Sequence, residues 1–191
     1  MHGRLHPVPR LTCWIGDPEC TYRYSGLLHQ PEPWTSHLAT IRSQLEEALG
    51  CRFNSLLVNR YRDGHDRMGW HADDEPELVH DHPIASLSLG ATRALRFRPR
   101  PQRRGAMVSQ AAARRAHSIE LADGDLLVMD APTQRHWQHE LPARRRVLAE
   151  RINLTFRLID QPSRAIASIS TRAPLGRAAT CLLYTSDAAD E

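Results

Sequence analysis

The segment Arg151-Ile-Asn-Leu-Thr-Phe-Arg157 alternates polar and apolar residues with a period of two, the signature of a strand with two unlike faces. Its odd positions carry Arg151, Asn153, Thr155 and Arg157, which a strand projects to one side. Two guanidinium groups on one face of a core strand are costly to bury unless an anion pairs with them. A dicarboxylate meets that requirement. The fold therefore has to be built around a polar, anion-holding strand face.

The rest of the chain reads mainly as strands. Runs from Phe53 to Tyr61, Ile84 to Leu89, Leu95 to Arg98, His117 to Leu121, Leu126 to Met129 and Ile152 to Ile159 are separated by Gly, Pro and Asp turns. One helix precedes most of them. Leu38, Ile41, Leu45, Ala48 and Leu49 fall on one stripe with Gly50 as the C-terminal cap. That helix is expected to buttress the sheet and to carry no chemistry.

His71-Ala-Asp73, with His139 far downstream, has the composition of a two-histidine, one-carboxylate metal centre. Such a facial triad leaves coordination positions open, which suits non-haem Fe(II). In an extended segment His71 and Asp73 point the same way while Ala72 faces away. Among the 11 histidines, His136 lies three residues before His139 and is the competing ligand. Trp70 and Trp137 flank the ligands and are expected to pack the walls of the site.

These segments, with Asn59-Arg-Tyr61, His71-Ala-Asp-Asp-Glu75, Pro83-Ile-Ala-Ser-Leu-Ser-Leu-Gly90 and His136-Trp-Gln-His139, resemble the AlkB family of Fe(II)/2-oxoglutarate dioxygenases over about residues 8 to 159. The resemblance implies a mainly β fold with a flanking helix, a double-stranded β-helix of jelly-roll type. It implies that His71, Asp73 and His139 hold Fe(II), with 2-oxoglutarate and O2 as cosubstrates, and that the trailing His139 rather than His136 is the ligand. Arg151 with Tyr61 would bind the distal carboxylate of 2-oxoglutarate. Arg157 and Asn59 would lie towards its keto-acid end, with Asn153 on the same face.

The implied reaction is oxidative dealkylation of N-alkylated bases, of the 1-methyladenine or 3-methylcytosine type, in DNA or RNA. 2-Oxoglutarate leaves as succinate and CO2, and the alkyl group leaves as formaldehyde. A base inside a duplex cannot reach buried iron, so the nucleotide must be single-stranded or flipped out. By the same resemblance Tyr24 covers one face of that base and His71 the other, Glu75 sits near its hydrogen-bonding edge and Asp74 near the sugar or a neighbouring loop.

A chain of 191 residues with 41% hydrophobic and 25% charged residues supports one core, expected over residues 1–160. No apolar run approaches the ~20 residues of a membrane-spanning helix. Cys13, Cys20, Cys51 and Cys181 form neither a close metal pair nor a disulfide framework, which suits a reducing cytoplasm. A monomer is expected.

Residues 161–180 read as an Ala-rich tail. Cys181-Leu-Leu-Tyr-Thr-Ser186 and the following Asp187-Ala-Ala-Asp-Glu191 match the translation of a transposase-end sequencing adapter and are set outside the fold. Without them the chain is more basic than its formal +3. The family-like region starts near Val8-Pro-Arg-Leu11, so the segment that precedes it in the family, with the finger of duplex-acting members, is expected to be missing. Single-stranded DNA is therefore the favoured partner.

All 25 basic residues are arginine, a preference that fits a GC-rich genome. Arg96, Arg98, Arg100, Arg103 and Arg104, then Arg114 and Arg115, then Arg144 to Arg146 are candidates for a phosphate-neutralising rim. Two other readings stay open. A 2-oxoglutarate hydroxylase acting on protein or small molecules would keep the metal and cosubstrate residues without needing Tyr24, Glu75 or the rim. A truncated, inactive nucleic-acid-binding fragment would need neither metal nor cosubstrate.

Overall fold

A computed structural model of the chain describes residues 9–24, 27–100 and 116–160, with the side chains of residues 22–29 outside that description. The expected tail and adapter, and Arg103, Arg104, Arg114 and Arg115, lie outside the described residues. Strands β1 (Leu11–Gly16), β2 (Tyr22–Tyr24) and β3 (Leu27–His29) precede α1 (Ser36–Leu49). They are followed by β4 (Ser55–Tyr61), β5 (Met68–His71), β6 (Ile84–Gly90), β7 (Arg93–Pro99), β8 (His117–Leu121) and β9 (Leu126–Met129). The short helix α2 (Ala131–His136), β10 (Trp137–Leu141) and β11 (Arg151–Arg157) complete the order.

From β4 onward the chain crosses repeatedly between two sheets. The larger has the order β1-β4-β11-β6-β9 and the smaller β5-β10-β7-β8, with β2-β3 as a separate ribbon. Every pairing between named strands is antiparallel. That interleaving is the double-stranded β-helix the resemblance implied.

Strand β11 lies centrally, between β4 and β6. Its apolar residues Leu154 and Phe156 join Leu56 and Ala85 in a core that also receives Leu45, Leu38, Ile41 and Leu49 of α1. Ala48, expected on that stripe, is exposed at the end of the helix. Thr35 caps the helix start by accepting from the Leu38 amide, and Gly50 ends it at φ 64°, the left-handed region that glycine enters without a Cβ penalty. The opposite face of β11 turns its polar residues into the space between the sheets. No described helix is long and apolar enough to cross a membrane.

Candidate active site

Antiparallel pairing of β5 with β10 sets His71 directly opposite His139. Strand alternation turns both rings inward, with centroids 4.1 Å apart. Asp73 lies just past the end of β5, its Oδ1 3.5 Å from His71 Nε2. The potential ligand atoms of the three residues all lie within 4.8 Å of one another. His136 is exposed and outside this cluster.

His71 Nδ1 is 2.9 Å from the Gly69 carbonyl. A carbonyl only accepts, so Nδ1 carries the proton and Nε2 presents its lone pair towards Asp73 and the site. Burial pulls the His71 pKa down, but Asp73, which can accept from Nε2 once that nitrogen is protonated, outweighs it and leaves it raised. Burial and then the nearby His71 push His139 down to about 4, so it is neutral at physiological pH, as a ligand must be. Burial disfavours ionised Asp73, yet the Arg157 guanidinium and the two histidines hold its carboxyl well below the usual range. Two imidazoles and one ionised carboxylate on one side of a cavity suit a divalent iron with open positions.

The cavity beside the triad measures about 440 Å³, and Arg151, Asn153, Thr155, Arg157, Asn59 and Tyr61 line it together with His71, Asp73 and His139. Register explains the grouping. Arg151 pairs with Tyr61 and Asn153 with Asn59 across β4, while β6 brings Ser88 opposite Asn153 and Ser86 opposite Thr155. Arg151 Nη2 donates to Ser88 Oγ and Asn153 Oδ1, both at 2.8 Å, and its Cζ stands 5.6 Å from the Tyr61 ring centre. Asn153 Nδ2 donates to Thr155 Oγ1, and Asn59 Oδ1 accepts from Arg10 Nε.

Arg151 is only 2% exposed, its Nε has no hydrogen-bond partner, and among the described residues no carboxylate pairs with it. Burial, partly offset by Tyr61, pulls its pKa below the ordinary value. A buried guanidinium without an anion is expensive, and a carboxylate entering the cavity would relieve it. Arg157 differs, since its Nη2 meets Asp73 Oδ2 at 2.9 Å and its Nη1 lies 3.8 Å from Glu75 Oε1.

Several expectations need correcting. Asp74 turns out to solvent and pairs with Arg100 at 2.7 Å, on the side of a neighbouring loop, while Asp73 and Glu75 line the metal-side cavity. Ala72 does border it, because the chain leaves the ladder at His71. Trp70 is no wall of the site: it projects from the outer face, with the Arg98 and Arg96 guanidinium carbons 4.4 and 5.6 Å from its ring. Trp137 packs against an apolar cluster that includes Leu95, Phe97, Leu121 and Leu141, and against His117. Tyr24 lies in β2, but its side chain is outside the described residues.

Six members of the expected arginine rim are among the described residues. Arg96 pairs with Glu140, Arg98 with Gln138, Arg100 with Asp74 and Arg144 with Glu120. Arg145 and Arg146 are exposed. The sequence reading missed Arg10, Thr12, Trp14 and Ser86 as lining residues and Ser88 as a partner of Arg151. A period-two pattern in Leu11–Gly16, with Thr12 and Trp14 on one face, was the signal available for β1.

Residues 1–157 match the family described as the 2OG-Fe(II) oxygenase superfamily. The chain belongs to that superfamily, and within it to the AlkB family. A DNA oxidative demethylase ALKBH2 of Mus musculus is 46% identical over 163 residues, covering 82% of this chain and 64% of the relative. The Homo sapiens protein of the same name is 46% identical, covering 82% and 59%. Alpha-ketoglutarate-dependent dioxygenase alkB homolog 3 of Rattus norvegicus is 42% identical, covering 89% and 57%. This AlkB-family chain thus spans about three fifths of the length of the curated relatives it matches. The solved structure of OsALKBH1 aligns with a TM-score of 0.55 at 18% identity, over 82% of this chain and 81% of that one; that likeness shows the fold alone.

Proposed function

We propose that this chain is an Fe(II)/2-oxoglutarate-dependent dioxygenase that oxidatively dealkylates N-alkylated bases in nucleic acid, with single-stranded DNA as the favoured substrate. The observation that carries the reading is Arg151, a buried guanidinium with no carboxylate partner, in the same cavity as the metal-ligand triad. The names of the relatives, DNA oxidative demethylases among them, support the substrate class.

His71, Asp73 and His139 would hold the metal, and Arg151 with Tyr61 would receive the distal carboxylate of 2-oxoglutarate. When bound, iron supplies the activation of O2 that couples oxidative decarboxylation of 2-oxoglutarate to hydroxylation of the alkyl carbon. The chain's own residues orient and exclude. The Gly69 carbonyl fixes the His71 tautomer, Arg157 keeps Asp73 ionised, and Asn59, Asn153 and Thr155 hold the polar face in one arrangement. Glu75 lines the cavity and would meet the hydrogen-bonding edge of a base, and Tyr24 would cover its face. The hydroxymethyl product on nitrogen collapses to formaldehyde and the restored base. A monomer in a reducing cytoplasm is part of the proposal, supported by cysteine spacings that make no disulfide framework.

The test is mass spectrometry of a single-stranded oligonucleotide carrying 1-methyladenine after incubation with the protein, Fe(II), ascorbate and 2-oxoglutarate. Loss of one methyl group that requires both 2-oxoglutarate and intact Asp73 is expected. Turnover of 2-oxoglutarate without demethylation would shift the reading to a hydroxylase of protein or small molecules. The internal pairing of Arg96, Arg98, Arg100 and Arg144 is the observation that favours that second reading.

A further inference from the structure

The β5–β10 ladder positions two of the three ligand residues, His71 and His139, but not the third. Asp73 lies two residues past the end of β5 and belongs to no strand. Behind it lies a second cavity of about 200 Å³, bordered by Asp73, Arg157, Gln134, Arg100 and Leu78. Packing on that side is open, so close contact alone does not keep the Asp73 backbone in place.

One side chain spans the gap. Gln134 of α2 is 8% exposed, and its Oε1 accepts from the Asp73 backbone N–H at 2.9 Å. Its Nε2 lies 3.4 Å from Met129 Sδ. Because a backbone N–H must meet the amide oxygen, the orientation of the Gln134 amide is determined. Gln134 is itself held, since its carbonyl accepts from Arg100 Nη1 at 2.9 Å while Arg100 Nη2 pairs with Asp74. It precedes His139 by five residues, with α2 running directly into β10.

We infer that Gln134 is a positioning residue for the metal centre: it fixes Asp73 relative to His139 through the Asp73 amide, and so sets metal affinity without touching the metal. The inference rests on the metal-binding reading of the triad. Asp73 receives two unlike constraints, the Arg157 guanidinium on its carboxylate and Gln134 on its backbone. Loss of the second leaves the carboxylate charged but misplaced into the cavity behind it.

The probe is Co(II) alone, titrated by calorimetry and by its visible absorption, into wild type, Gln134→Met and Thr133→Gly. Gln134→Met keeps the volume and removes the acceptor. Thr133→Gly loosens α2 and leaves the amide contact in place. Urea unfolding of the metal-free proteins is measured in parallel. Expected are a Kd raised about ten-fold or more with an altered visible spectrum for Gln134→Met, and a Kd within about two-fold of wild type for Thr133→Gly despite its lower stability. An unchanged Kd in Gln134→Met, or equal weakening in both variants, overturns the inference. If Gln134→Met does not fold, Gln134→Asn, one methylene short of Asp73, is read instead, and wild-type affinity there overturns it. Failure of wild type to bind Co(II) overturns the metal reading itself, and this inference with it.

Discussion

Arg157 Nη2 and Asp73 Oδ2 lie 2.9 Å apart with both side chains 4% exposed or less, so the charge of the carboxylate ligand is set from β11. The guanidinium opposes the desolvation that would otherwise favour the neutral acid. Arg157→Gln should weaken Mn(II) binding about 10- to 100-fold at neutral pH. The deficit should widen as pH falls, because the Asp73 pKa returns upward when the cation is removed. Calorimetric titration at pH 7.5 and 6.0 checks both points.

Arg151→Gln removes the cation that has no carboxylate partner in the described structure. Binding of 2-oxoglutarate should weaken by about 2–3 kcal/mol, roughly 30- to 150-fold in Kd, with Mn(II) affinity near wild type. Arg151→Lys should recover little, since an ammonium cannot reproduce the planar, two-pronged geometry. Equilibrium binding of radiolabelled 2-oxoglutarate in the presence of Mn(II) is the measurement.

Asp66 accepts from Arg62 three times, from the backbone N at 2.9 Å and from Nε and Nη2 at 2.8 Å. Those bonds, the side-chain ones first, hold its pKa below 3.8. A carboxylate depressed by folding contributes stability above its unfolded pKa and loses it as pH falls through the folded value. Asp66→Asn should therefore cost about 1–3 kcal/mol at pH 7, with the gap to wild type closing below pH 3.8. Urea unfolding across pH 7 to 3 tests this.

Gly64 sits against the backbone of the Arg144 loop, where an added Cβ would stand 1.9 Å from the Arg144 carbonyl oxygen. Hydrogen bonds from Gly64 N to Val147 O and from Arg144 N to Gly64 O clamp the two loops together. Gly64→Ala should lower stability by about 2–3 kcal/mol, or roughly 5–10 °C in Tm for a chain of this size. Thermal unfolding followed by circular dichroism is sufficient to see it.

Elements that follow one periodicity were legible in the sequence. The alternation in β11 predicted that Arg151, Asn153, Thr155 and Arg157 share a face, and all four line the cavity. The apolar stripe and Gly50 located α1. Strand β10 did not register as a strand, and β5 only as an extended stretch around His71, because their inward positions carry His71 and His139 where a core strand would carry apolar residues. Beyond His71 the chain leaves the ladder, so period-two reasoning no longer holds and Ala72 joins Asp73 and Glu75 at the cavity. Gln134 carried no motif at all: its contact with Asp73 spans 61 positions and depends on how α2 seats against the loop.

The facing of His71 and His139 across β5 and β10 makes metal uptake a reporter of strand register. A slip of β10 by one residue would bring Gln138 or Glu140 opposite His71 and turn His139 to the outer face. A form of the small sheet slipped by one residue cannot assemble the triad, so a metal ion rewards the native pairing over it. The ion would act as a proofreader of folding, adding stability to the correctly zipped sheet and none to its near neighbours.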